Sequence, residues 1–113
     1  MKKFLVVFAV LLLPVGVNAQ KKIEKVAVEV DGVCSMCKAR IEKASFSEKG
    51  VKSASWSVED HQLTLIYDAS KTSIDSIQKK VSLAGHNTPL FKAPEEAYQS
   101  LPMCCKYRTV SDH

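Results

Sequence analysis

The chain has 113 residues, with 16 Lys and Arg against 12 Asp and Glu, a formal charge of +4 and four cysteines. Basic and acidic residues are interspersed rather than gathered on one face, which argues against a nucleic-acid footprint. The length allows one small domain with one modest core.

The chain opens with Lys2 and Lys3, an apolar run from Phe4 to Val17, and Val17-Asn18-Ala19 before Gln20. A positive end, a short apolar stretch and small residues at a cleavage point read as an export signal over residues 1–19. The run is shorter than the roughly 20 residues of a membrane span, and Pro14 interrupts it. Cleavage would leave 94 residues and, without Lys2 and Lys3, a charge of +2. A periplasmic or otherwise exported protein is expected, with no membrane insertion after cleavage.

Val26, Val28 and Val30 alternate with Ala27 and Glu29, the period of a strand with one buried face. From Cys37 the period turns helical, with Cys37, Ile41 and Ala44 on one side and Gly50 closing the segment. Ala54, Trp56 and Val58 mark a second strand, Glu59-Asp60-His61 a turn, and Leu63, Leu65 and Tyr67 a third strand, so these two strands form a hairpin. Thr72 is the expected N-cap of a second helix, with Asp75 in its first turn, a buried stripe of Ile74, Ile77, Val81 and Ala84, and Gly85 as its stop. His86 to Phe91 reads as a fourth strand, which Pro89 places at an edge or shortens. The order predicts an α+β fold, a ferredoxin-like βαββαβ sandwich with two helices on a four-stranded antiparallel sheet over residues 20–91. Residues 92–113 form a tail, with one helical turn near Ala93–Tyr98, ended by Leu101-Pro102, and then Cys104-Cys105.

Cys34 and Cys37 are the most informative residues. One sits on a loop after Asp31-Gly32 and the other at a helix start, so both thiols can converge on one soft metal ion. A helix N-terminus also favours the thiolate that metals bind. Zinc sites and thiol–disulfide exchange use the same C-x-x-C spacing, and in an exported chain a structural disulfide is a third alternative. A thioredoxin-like redox domain would need a longer chain, a central parallel sheet and usually an aromatic before the first cysteine, where this chain has Val33. Val33 also supplies no carboxylate for zinc. Soft thiolates select copper(I) over hard cations, with mercury second.

The element order and cysteine placement together resemble the heavy-metal-associated domain of copper chaperones, metal-pump N-termini and periplasmic mercuric-ion-binding proteins. The resemblance rests on Gly32, Cys34, Cys37, Ile41-Glu42, Ala44, Gly50-Val51, Tyr67-Asp68, Ile77 and Gly85-His86, over residues 24–91. It implies Cys34 and Cys37 as the metal-binding thiolates, with copper(I), or mercury, zinc or cadmium, passed by ligand exchange to a metal transporter or another metal-binding domain. The sequence departs from the family in three places. Gly32-Val33-Cys34 is one residue shorter than the usual Gly-Met-x-Cys, leaving Met36 as the candidate prop for the loop. Ser45 and Glu48 stand where apolar residues are common, and His86 where Tyr or Lys is common.

Several residues are further candidates as ligands or neighbours of the site. His86 follows the second helix, on the loop that in this fold approaches the metal end; its plainer reading is a helix-closing histidine. Met36 and Met103 offer thioether sulfur, although methionine is more often packing. His61 and His113 read as solvated, and Trp56 and Tyr67 as core. Cys104 and Cys105 can reach either end of a small domain, since about ten extended residues at ~3.3 Å each separate them from the fourth strand. They are expected to fold back toward Cys34 and Cys37, against alternatives of an adjacent-cysteine disulfide, a bridge to the first pair, or an unligated tail. No nucleophile–base pair or phosphate-binding glycine loop is visible, so a binding protein is expected rather than an enzyme.

Overall fold

A computed structural model describes residues 22–109. The export signal expected at 1–19, and His113, lie outside them. Three antiparallel strands, β1 (Ile23–Glu29), β2 (Val51–Trp56) and β3 (Gln62–Asp68), form one sheet in the order β1-β3-β2. Helix α1 (Ser35–Phe46) follows β1, and α2 (Ile74–Leu83) follows β3.

The register explains the core. Leu63 pairs with both Val28 and Trp56, and Leu65 with both Val26 and Ala54, so one sheet face carries two apolar rows. Cys37 and Ile41 from α1, and Ile77 and Val81 from α2, close over Trp56, Leu63 and Leu65, all essentially inaccessible to solvent. Trp56 sits at the centre, its indole N–H donating to the Val30 carbonyl at 3.1 Å. Burying such side chains stabilises the fold by about 1.5–3 kcal/mol each. Ser45 is also buried, and its hydroxyl donates to the Ile41 carbonyl of the preceding turn. That internal bond makes burial of the hydroxyl tolerable.

The structure corrects three details of the sequence reading. The N-cap of α2 is Ser73, whose hydroxyl accepts from the Ser76 N–H at 3.1 Å. Thr72 instead donates to Glu48, two residues past the end of α1, so this side chain links the exit of α1 to the approach to α2. Val58 lies beyond β2 in the turn and is exposed, because the chain must reverse through His61, which has φ of 62°.

The third correction is larger. The sheet has three strands, and the fourth expected at His86–Phe91 is not formed. Pro89 has no N–H to offer a ladder. Around it the chain closes a tight turn, with Thr88 N–H donating to the Phe91 carbonyl and Phe91 N–H to the Thr88 hydroxyl. Among the described residues, the one backbone bond back to the end of β1 is at Asn87, whose carbonyl accepts from the Asp31 N–H.

The segment after Phe91 packs onto the core cluster. A short helix α3 (Glu95–Gln99) leads into two 3-10 turns, Met103–Cys105 and Tyr107–Thr109. Tyr98, Leu101, Cys105 and Tyr107 are buried in the same core as Ile41 and Val81. Gly85 makes this possible: with φ of 111° it ends α2, and a Cβ there would stand 2.9 Å from a Leu101 methyl. Residues 92–109 thus pack as part of the domain's core.

Candidate metal centre

Cys34 is the N-cap residue of α1, in extended conformation, and Cys37 occupies the helix's first turn. Two contacts hold this turn in place. Gly32 lets the chain pass over Trp56, since a Cβ there would stand 2.9 Å from the indole and 3.2 Å from the Cys37 Cβ. On the far side, Glu42 accepts from Lys38 Nζ at 2.6 Å and from the Trp56 N–H at 2.8 Å, while Lys38 donates to the Trp56 carbonyl. The helix start is therefore fastened to the end of β2, and the thiols inherit that rigidity.

The two thiols differ. Cys37 is fully buried, and its sulfur accepts from the Val33 N–H at 3.3 Å. Cys34 is half-buried. Its sulfur makes no capping hydrogen bond. Burial works against its ionisation, but the amides of Cys37 and Met36 and hydrogen bonds with Cys104 and Cys37 outweigh it, so its pKa lies below the ordinary thiol value. Amides at a helix N-terminus favour the charged form of a thiol in this way.

The tail brings its own two thiols to the same place. The sulfurs of Cys34, Cys104 and Cys105 all lie within 4.8 Å of one another. Cys105 is fully buried and Cys104 is exposed, while Cys37 lies outside this close trio. The Cys34 thiol donates to the Cys104 carbonyl at 3.5 Å, and the Cys104 thiol points to the Met36 sulfur at 3.3 Å. All four cysteines are free thiols. Burial, then the Cys37 sulfur, pushes the Cys105 pKa up; the hydrogen bond with Cys34, then burial, raises that of Cys104.

The remaining candidates sort clearly. Met36 is at the cluster, half its surface exposed; Met103, 81% exposed, turns outward. His86 does not belong to the cluster of close ligand atoms. It is completely buried, with Nδ1 2.8 Å from the Asp31 carbonyl and its ring stacked on Tyr107. It supports the loop that leads into Cys34. Burial lowers its pKa despite the bond to Asp31, so the neutral ring is favoured. His61, read as solvated, is half-buried and stacks on Trp56 with ring centroids 5.6 Å apart.

Sequence reasoning missed Tyr107, which anchors the cysteine turn from behind. Its hydroxyl donates to the Gly85 carbonyl at 2.7 Å and accepts from the Asn87 N–H at 3.2 Å. No periodicity marks a single aromatic in a tail, so no signal could have found it. A groove of about 410 Å³ lined by Ala39, Arg40, Lys43 and Ala84 carries none of the sulfurs.

The heavy-metal-associated domain matches residues 27–87, more than half of the chain, and the match spans Cys34 and Cys37. The chain belongs to the heavy-metal-associated domain family. Among solved structures it is similar to oxidized MerP from Ralstonia metallidurans CH34, with 28% identity and a TM-score of 0.57 over 59% of this chain and 94% of that one. A CopZ metallochaperone shares 27% identity at a TM-score of 0.56, covering 57% and 98% of the two chains. The N-terminal domain of a potential copper-translocating P-type ATPase from Bacillus subtilis, in its Cu(I)-loaded state, shares 25% at 0.56, covering 59% and 85%. No curated protein matches by sequence. Membership of this family makes the chain a ferredoxin-like α+β domain of metal-binding type.

Proposed function

We propose that this protein is an exported carrier or buffer of soft metal ions, copper(I) first, which it binds through Cys34 and Cys37. The observation that supports this best is the state of the pair: two free thiols on one rigid helix start, one reachable with a lowered pKa and one buried against an N–H donor. Thiolates so placed suit copper(I) and mercury better than hard cations. Solved relatives point the same way, since one is a metallochaperone and another a Cu(I)-loaded domain of a P-type ATPase.

Each side of the pair has a distinct task. The Cys34 sulfur stands where a partner's thiolate can approach, so the ion enters and leaves there. Cys37 keeps its contact with the Val33 N–H, which steadies the negative charge on sulfur while Cys34 exchanges. A partner with a similar thiol pair, such as a metal transporter, would take the ion by ligand exchange. Export rests on the pattern of residues 1–19, and the mature chain is expected to begin at Gln20.

Copper(I) titration of the reduced protein against a chelator tests the reading. One tightly held ion per chain is expected, lost in Cys34→Ser/Cys37→Ser. Full-occupancy tight binding by that variant would refute it. The reduction potential of the pair, measured separately, distinguishes a metal carrier from a thiol–disulfide exchanger. Sequencing the N-terminus of protein recovered outside the cytoplasm tests export.

A further inference from the structure

We propose that Cys104 and Cys105 complete the metal site, so that one soft ion is held by at least three sulfurs, with the tail supplying what the helix pair lacks. This rests on metal binding at Cys34 and Cys37 and adds the coordination number and the mode of release.

The first support is distance. Sulfurs about 2.3 Å from a metal stand about 4 Å apart in a trigonal set and slightly closer in a tetrahedral one. The sulfurs of Cys34, Cys104 and Cys105 already lie within 4.8 Å of one another, so small side-chain adjustments place them around one ion. Cys37 stands outside this close trio, on the first turn of the helix that Cys34 caps, and is the candidate fourth sulfur.

The second support is that the tail is built to stay there. Tyr98, Leu101 and Tyr107 are buried on either side of the cysteine turn. The Arg108 guanidinium lies 3.9 Å from the Tyr98 ring centre and pairs with Glu95 at 3.0 Å. The turn itself is closed by Cys105 N–H donating to the Pro102 carbonyl at 2.8 Å. On a 3-10 turn, adjacent residues project about a third of a revolution apart. That is how neighbouring cysteines place one sulfur in the core and the other at the surface. Anchoring of this kind removes much of the ordering cost of recruiting a ligand from a tail.

Chemically, each tail thiol gives up its proton to solvent as its sulfur bonds to the ion, and no redox change is involved. A two-sulfur site releases its ion readily, because an incoming thiolate finds open coordination. With a third or fourth sulfur in place, a partner must first displace the accessible Cys34 or Cys104, since Cys37 and Cys105 are fully buried. The protein would then retain its ion until such a partner docks.

X-ray absorption on the monomeric, one-to-one copper(I) complex of the whole mature chain decides the matter. Three or four sulfurs are expected in the wild type, falling to two in Cys104→Ser/Cys105→Ala, with at least a tenfold loss of copper(I) affinity against a chelator. Should the alanine at the buried position unfold the protein, Cys105→Val keeps an apolar side chain of similar volume there. Two sulfurs in the wild type, or a sulfur number and affinity unchanged in the variant, overturns the proposal and leaves the helix pair as the whole site. Failure of the underlying reading looks different: the wild type holds no copper(I), or Cys34→Ser/Cys37→Ser holds it as tightly.

Discussion

Two turns carry this protein's thiols, and they achieve similar exposure patterns by different means. In the first turn of α1, Cys37 is buried and Cys34 is accessible; in the 3-10 turn of the tail, Cys105 is buried and Cys104 is accessible. The helix turn is the start of a twelve-residue helix, and its amides favour the Cys34 thiolate. The tail turn is three residues long, and both its thiols are pushed toward the protonated form by burial and by the neighbouring sulfurs. The comparison teaches that backbone amides favour the Cys34 thiolate, whereas core packing sets whether the tail pair is present at all.

The largest effect should come from the helix pair. Cys34→Ser and Cys37→Ser should each weaken copper(I) binding by more than the roughly 10–100-fold typical of losing a supporting contact around a metal. Circular dichroism should show the fold retained. A variant that binds as tightly as wild type would reverse the ranking of the two turns.

Gly85→Ala should do the most damage to the tail turn without touching a sulfur. A side chain at φ of 111° is strained by about 1–3 kcal/mol, and its Cβ would also push on Leu101 at 2.9 Å. A lower melting temperature and faster alkylation of Cys105 are expected. Unchanged Cys105 protection would show that the turn does not depend on the α2 end.

Tyr107→Phe is a milder probe of the same anchor. It removes the hydroxyl that joins Gly85 and Asn87, leaving buried groups unpaired at a cost of about 1–3 kcal/mol. Urea unfolding should register the loss, and hydrogen exchange should rise first in residues 101–109. Equal exchange throughout would mean that the tail and the sheet open together.

The smallest effect concerns pH. The folded state disfavours the His86 imidazolium, so the ring's pKa lies below its ordinary 6.5. As pH falls through that ordinary value the unfolded chain takes up a proton that the folded chain does not. Stability therefore holds above it and declines below, toward the lower folded pKa. His86→Gln, which keeps a donor for the Asp31 carbonyl and removes the titration, should flatten this part of the urea-midpoint profile. An identical slope in both proteins would place the acid sensitivity elsewhere.

Much of the architecture was legible because it follows from local pattern. Alternation marked all three strands, period-3.6 spacing marked both long helices, and the C-x-x-C before a helix marked the first half of the site. Less legible were choices between neighbours of similar chemistry. Thr72 and Ser73 both cap helices, and only the position of Glu48 across the groove decided that Thr72 would turn to it. Ala44 and Ser45 are adjacent, and the roll of α1 buried the serine completely.

By itself, the sequence determined the strand and helix order and the placement of Cys34 and Cys37 at a helix start, because these depend on periodicity and backbone dipoles within a few residues. Tertiary structure alone decided that His86–Phe91 would be a loop, that His86 would brace Asp31, and that the closest sulfurs would be those of Cys34, Cys104 and Cys105. These outcomes turn on packing between segments distant in the chain, such as Leu101 against Gly85 and the Tyr107 hydroxyl on the Gly85 carbonyl. Such long-range packing leaves no periodic trace in the chain.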